Sequence, residues 1–157
     1  MSKPIAFILV GLPASGKSTW IGEVDRENAV VLSTDDYIEA RAAEDGTTYN
    51  GAFLSYIKAA HAALESDFRA AISARKTIYW DQMNHTVAKR KKILTMLPPN
   101  YIRIAIVFKT PEKDEWERRL FARAGKTIPA AVLSAKVEYP TYKEGFHLIC
   151  DKEDLDD

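Results

Sequence analysis

IAFILVGLPASGKST, residues Ile5 to Thr19, is the stretch whose reading decides the fold. Ile5 to Val10 is an unbroken apolar run, the mark of a short strand buried on both faces. Gly11 to Thr19 fits Gly-x-x-x-x-Gly-Lys-Ser, and Thr19 to Val24 reads as a helix. Strand, glycine-punctuated loop and helix in that order make a cradle whose backbone N–H groups turn inward around phosphate oxygens. Gly11, Pro13, Ala14, Ser15, Gly16 and Thr19 would shape that cradle. Lys17 would reach the β and γ phosphates, and Ser18 would offer a hydroxyl to Mg²⁺. The helix N-terminus adds partial positive charge. ATP and Mg²⁺ are therefore the expected ligands.

Around this loop the chain reads as an α/β protein built on a parallel sheet of about five strands. Strands are expected at Ile5–Val10, Ala29–Leu32, Thr77–Trp80, Tyr101–Phe108 and His147–Cys150, each rich in β-branched or aromatic residues and buried on both faces. Between them, Phe53, Ile57, Ala60, Leu64, Phe68, Ala71 and Ile72 fall on one stripe of a helix over 53–75. Asp45-Gly46 and Asn50-Gly51 mark a loop ahead of it. A helix from Val87 stops at Pro98-Pro99, and a last one starts near Pro129. Another is expected to open with Thr110 as cap and Pro111 at its first position, with Glu112, Asp114 and Glu115 in its first turn.

The organisation expected is a kinase-type domain over 1–150 with an acidic tail over 151–157. A single cysteine, Cys150, excludes an internal disulfide and fits a reducing compartment. No apolar run approaches a membrane span, and Lys3 with IAFILVG reads as the first buried strand rather than a leader, so a cytoplasmic protein with no membrane partner is expected. Formal net charge is zero, yet residues 86–126 hold eleven Lys/Arg against four Asp/Glu. That basic middle, including KRKK (89–92), suits an anionic substrate, although such a run also serves as a solvated helix face.

In open α/β sheets ligands sit outside the carboxyl ends of the strands, so the polar residues just past each strand carry the chemistry. Asp35, in LSTDDY, follows the second strand and can accept the proton of an attacking hydroxyl. It could also cap the helix that follows, with Ser33 and Thr34. Asp81, in YWDQMN, follows the third strand and could hold Mg²⁺ through water, or cap the helix after Thr86. Asn84 is a polar neighbour that with Asp81 completes the acceptor side. In WERRLFARAGKTIP, Arg119 and Arg123 share a helix face at i and i+4 ahead of Gly125, a basic lid able to lay guanidinium groups across a transferring phosphoryl. His61, His85 and His147 have no metal-ligand spacing.

The succession GLPASGKSTW, STDDY, WDQMN, ERRLFAR–KTIP and YPTYKEGF resembles the kinase domain of polynucleotide 5′-hydroxyl kinases, over roughly Ile5 to Ile149. The resemblance implies that Lys17 and Ser18 serve ATP and Mg²⁺ and that Asp35 is the general base for a 5′-hydroxyl of DNA or RNA. It implies that Arg123 contacts the ATP phosphates with Arg119 one turn before it, and that Asp81 is the aspartate of the D-x-x-N step. One position departs. In the bacteriophage enzyme an arginine follows DDY and binds the phosphate beside the accepting hydroxyl, whereas Ile38 stands here, with Arg41 one turn further along. Arg41 is the candidate to replace it. If it does not, a small hydroxyl acceptor such as a sugar, nucleoside or nucleotide sugar becomes the competing expectation. A nucleotide-binding module without catalysis, as in the kinase-like domain of the nuclear ribonucleoprotein U family, is the third. No 3′-phosphatase activity is expected.

Overall fold

The computed structural model describes residues 2–155. Among these, five strands form one sheet: β1 Ile5–Val10, β2 Ala29–Leu32, β3 Thr77–Trp80, β4 Ile102–Val107 and β5 Leu148–Asp151. Their order is β2-β3-β1-β4-β5, and every pairing is parallel. Side chains alternate across the sheet with the period of two that a pleated strand imposes. Ala6, Ile8 and Val10 of β1, Ile78 and Trp80 of β3, and Ala105 and Val107 of β4 face one layer. That layer is closed by α3 (Tyr49–Ser73), through Leu64, Phe68 and Ala71, and by α4 (Val87–Met96), through Ile93 and Leu94. Leu9, Tyr79 and Ile106 face the opposite layer, where α1 (Lys17–Glu23) packs Trp20 and Ile21. Covered on both sides, Ile8 is fully buried, and its truncation to Ala would cost about 2–5 kcal/mol.

The expectation of strands buried on both faces holds best at the centre of the sheet. β5, an edge strand, leaves Leu148 and Asp151 exposed, and β2 on the other edge is only half-buried up to Leu32. The strand also runs one residue past Cys150, and a 3₁₀ turn over Lys152–Leu155 follows, so the acidic segment begins as ordered structure. Asp156 and Asp157 lie outside the described residues.

α2 (Thr34–Asp45) and α3 form a hairpin whose interface buries Ile38, Ala42, Ala52 and Ala60. Two expectations are corrected here. Asn50-Gly51 is not loop but the first turn of α3, because the Thr48 hydroxyl accepts from Gly51 N (3.2 Å) and caps the helix earlier. The apolar stripe holds from Ile57 to Ile72 and changes only at its first position, where Ala52 is buried and Phe53 is 37% exposed. A third correction concerns α5 (Lys113–Phe121). Its first intrahelical bond runs from Trp116 N to the Glu112 carbonyl (2.9 Å), leaving Thr110 and Pro111 in the approach rather than at the cap. A one-turn α6 (Ala130–Leu133) follows Pro129.

The chain leaves β1 toward β2 and leaves β3 toward β4, in opposite directions across the sheet. The carboxyl ends of β1 and β3 therefore border the crevice in which such sheets bind ligands. No helix among the described residues is long and apolar enough to cross a membrane.

Candidate active site

A cleft of about 1420 Å³ opens above those carboxyl ends, lined at its floor by the loop after β1. Gly11 anchors the loop, its N–H donating to the Met83 carbonyl (2.9 Å). A Cβ at Gly11 would lie 2.8 Å from Ser15 Oγ and 2.9 Å from the Phe108 carbonyl, so only glycine lets the loop leave β1 this tightly. Ala14 (φ 60°) and Gly16 (φ 102°) both take left-handed backbone, the alternation that turns successive N–H groups to one side. Ser15 Oγ is buried there with no hydrogen-bond partner. Lys17 Nζ folds back to the Gly11 carbonyl at 2.5 Å. Burial pulls its pKa down to about 8, against the pull of Asp81 and Asp35. An orphaned hydroxyl and a desolvated ammonium in one concave loop fit an anion of several oxygens, such as a triphosphate. Pro13, Ser18 and Thr19 also line the cleft.

Asp81 enters from the end of β3, its N–H donating to the Leu32 carbonyl (2.9 Å). Burial raises its pKa to about 6, with Lys17 opposing and Asp36 and Asp35 adding to the rise. Thr86, not Asp81, caps α4, its hydroxyl accepting from Lys89 N (3.2 Å). Asp81 is thus left facing the cleft with Ser18, and these two hard oxygen donors suit Mg²⁺ shared with phosphate oxygens. Asn84 belongs to the lining of the same cleft. It is 3% exposed, and its Nδ2 donates to the Leu9 carbonyl at 2.8 Å, tying the end of β3 to β1. That hydrogen bond makes the side chain a brace for the sheet, at a position of left-handed backbone (φ 45°).

Asp35 stands in the first turn of α2, whose cap is Ser33, accepting from Asp36 N (3.2 Å). The Asp35 carboxylate is therefore free of capping and points into the cleft. Its Oδ1 accepts from the Tyr49 hydroxyl (2.6 Å) and its Oδ2 from Lys126 Nζ (3.1 Å), which also reaches Glu39 (3.1 Å). Burial pushes the Asp35 pKa up, but the Tyr49 hydrogen bond and the Lys126 charge outweigh it and hold the carboxyl below its ordinary value. Each oxygen keeps a second lone pair, so a substrate hydroxyl still has an acceptor.

The lid wall is α5 and the turn after it. Trp116 Nε1 donates to the Pro13 carbonyl (2.7 Å) and Arg119 Nη1 to the Ala14 carbonyl (3.3 Å), so both sit on the phosphate loop. α5 ends at Phe121, which puts Arg123 in the following turn rather than on a helix face shared with Arg119. Both arginines nevertheless line the cleft. The turn is docked on the start of α3: Asn50 N donates to the Gly125 carbonyl (3.1 Å) and Thr127 N to Asn50 Oδ1 (3.1 Å).

Arg41 does not join this group. Its guanidinium pairs with Glu44 (3.2 Å) and lies 4.6 Å over the Tyr37 ring, outside the cleft lining. Ile38 is fully buried against α3, so the helix face that would carry an arginine is packed into the hairpin. Tyr49 and Lys126 were not legible as site residues. Both lie far from Asp35 along the chain, and only the hairpin and the lid turn bring them to it.

Residues 7–139 match the AAA domain family, most of the chain, and the protein belongs to that family. No curated protein matches it in sequence. In structure it is similar to a chain of the Pnkp1/Rnl/Hen1 RNA repair complex at 23% identity and TM-score 0.61, covering 85% of this chain and 42% of that one. It is similar to a chain of the PezAT chromosomal toxin–antitoxin system of Streptococcus pneumoniae, at 19% identity and TM-score 0.61, covering 78% and 53%. A putative kinase from Chloroflexus aurantiacus J-10-fl matches at 19% identity and TM-score 0.62, covering 96% and 89%. The likeness is one of fold, a P-loop kinase-like α/β sheet. The chain spans about half the length of the first two.

Proposed function

We propose that this AAA-domain protein is an ATP-dependent phosphotransferase acting on the 5′-hydroxyl of a nucleic-acid end, DNA or RNA. The observation that carries the proposal is one cleft holding the phosphate loop and an uncapped, ionised carboxylate, Asp35, at the end of the neighbouring β-α unit. Bound in the loop, ATP·Mg²⁺ would supply the phosphoryl group and neutralise its charge. Gly11 to Thr19 hold the phosphates through backbone N–H groups and Ser15. Ser18 and Asp81 hold the metal. Lys17 and Arg123 oppose the negative charge that builds on the transferring oxygens, and Arg119 keeps the lid on the loop. Asp35 takes the proton of the acceptor hydroxyl, oriented by the Tyr49 hydroxyl on its other oxygen.

A second reading keeps this chemistry and changes the acceptor to a small hydroxyl compound. The burial of Ile38 and the outward pairing of Arg41 favour it, because α2 then offers no cation to a strand phosphate. ADP release measured against oligonucleotides, nucleosides and sugars separates the two. Turnover on a 5′-hydroxyl oligonucleotide at least tenfold above that on nucleosides is the result expected. Turnover on sugars or nucleosides alone would transfer the proposal to the second reading, and ATP binding without turnover on any acceptor would overturn both.

A further inference from the structure

The cleft does not stop at Asp35. It runs on between α3 and α4, where α3 contributes Phe53, Leu54 and His61, and α4 contributes Lys89, Lys92 and Met96. The register of α4 explains which lysines face it. Arg90 is fully buried, donating from Nε and Nη2 to Glu144 (2.8 and 3.2 Å) and from Nη1 to the Asn84 carbonyl (2.9 Å). With Arg90 locked inward, Lys89 and Lys92, three residues apart, line the cleft, and Lys91 does not. The KRKK run is therefore divided into a buried pin and two cations aimed at the groove.

Neither Lys89 nor Lys92 takes part in an ion pair among the described residues. Elsewhere on the cleft wall, Lys17 is engaged by the Gly11 carbonyl and Lys126 by Asp35 and Glu39. Glu65, the acid of this arm, is turned to Arg69 (3.8 Å). In the same lining, Phe53 is 37% and Leu54 89% exposed, two large apolar side chains of α3 left to water. The Phe53 ring lies 5.8 Å from that of Tyr49, whose hydroxyl holds Asp35. Base carboxylate, aromatic face and unpaired cations thus follow one another along one groove.

We infer that the α3–α4 groove is the strand-binding subsite: Lys89 and Lys92 take phosphodiester oxygens of a single strand, and Phe53 offers a face to a base. This rests on the phosphotransferase reading and supplies the cations that Ile38 and Arg41 do not. Lysines contacting phosphates alone bind every sequence alike.

The test is fluorescence anisotropy of 5′-hydroxyl DNA and RNA oligonucleotides of two sequences, over a salt series, without ATP. Wild type is compared with Lys89→Ala/Lys92→Ala, Lys89→Arg/Lys92→Arg, Lys91→Ala and Phe53→Ala. ATP affinity and phosphoryl transfer are measured on the same proteins. The double alanine variant should bind strands about tenfold or more weakly, with the log–log salt slope shallower by about 1.4, and should bind ATP as wild type does. The arginine pair should restore binding, Lys91→Ala should leave it unchanged, and Phe53→Ala should cost about fivefold or more. DNA and RNA losing equally would assign the contacts to phosphate alone. Wild-type affinity and slope in the double alanine variant overturn the inference. So does a wild-type protein that binds ATP but no strand at low salt, even if it phosphorylates small acceptors, in which case the phosphotransferase reading survives without the groove. Strand binding through the two lysines with no transfer to any acceptor has the opposite meaning: the groove stands and the kinase reading falls.

Discussion

The phosphate loop grows out of β1, whose Ile8, Leu9 and Val10 are fully buried, whereas α5, which closes over that loop, contributes no buried residue. The loop side grows directly out of the core of the sheet and is anchored there by Gly11 N on the Met83 carbonyl. The lid side is held by polar contacts: the Trp116 indole on Pro13, Arg119 on Ala14, Asn50 with Gly125 and Thr127, and Lys126 on Asp35 and Glu39. Each such hydrogen bond contributes about 0.5–1.5 kcal/mol net, and the Lys126 pairs less, since both carboxylates are about half exposed. One wall is thus set by the fold and the other docks on it, an arrangement suited to admitting and enclosing a nucleotide.

The contrast breaks most severely at Arg90. Arg90→Ala would leave the buried Glu144 carboxylate without its counter-charge, and urea denaturation should show a loss of about 3–5 kcal/mol. Replacing both partners, Arg90→Met with Glu144→Leu, should recover part of it, because the Thr141 N–H and the Asn84 carbonyl then lose their partners. Next in size is the pH dependence of ATP binding on the fixed wall. Lys17 must be protonated to hold phosphate, and its pKa stands at about 8, so affinity should be level below that pH and fall by up to about tenfold per unit above it. Titration calorimetry from pH 6.5 to 9.5 reads this, and Lys17→Arg, charged throughout, should show no fall in the same range. On the lid wall, Trp116→Phe removes one hydrogen bond and should raise KM for ATP about two- to tenfold with the unfolding midpoint unchanged. A shift of the midpoint instead would mean that the lid belongs to the core. The smallest effect concerns the pH profile that Asp35 sets. As a base with a lowered pKa it should keep kcat level down through neutral pH and lose activity only toward acid. Tyr49→Phe removes a donor to the carboxylate, raises its pKa, and should move that acid limb upward.

The fixed wall was the legible one. Each of the five strands lies within one residue of its apolar run, and the turn between β1 and α1 lies where the Gly11–Thr19 spacing and its flanking strand and helix put it. Local chemistry specifies these, because a strand covered on both faces must be apolar throughout and a tight phosphate turn must contain glycine. The docked wall was read only in part. Arg119 and Arg123 were placed on the cleft, but their shared helix face was not, since α5 begins after Pro111 and ends before Arg123. Position in the motif puts Asn84 and Arg41 on the acceptor side; Asn84 lines the cleft while bracing the sheet, and Arg41 turns outward. Tyr49, Lys126 and the division of KRKK depend on contacts between residues distant in sequence, which no local pattern encodes.

The central claim is that Asp35 and the phosphate loop act together on a strand end. Its most direct test is transfer of labelled γ-phosphate from ATP to a short 5′-hydroxyl oligonucleotide, with the 5′-phosphorylated oligonucleotide as control and Asp35→Ala and Lys17→Ala alongside. The account predicts label on the free end only, with kcat down about 10²–10⁴-fold in Asp35→Ala while ATP affinity is retained. Equal turnover in wild type and Asp35→Ala, or no label on the free end by a wild-type protein that binds ATP, would contradict it.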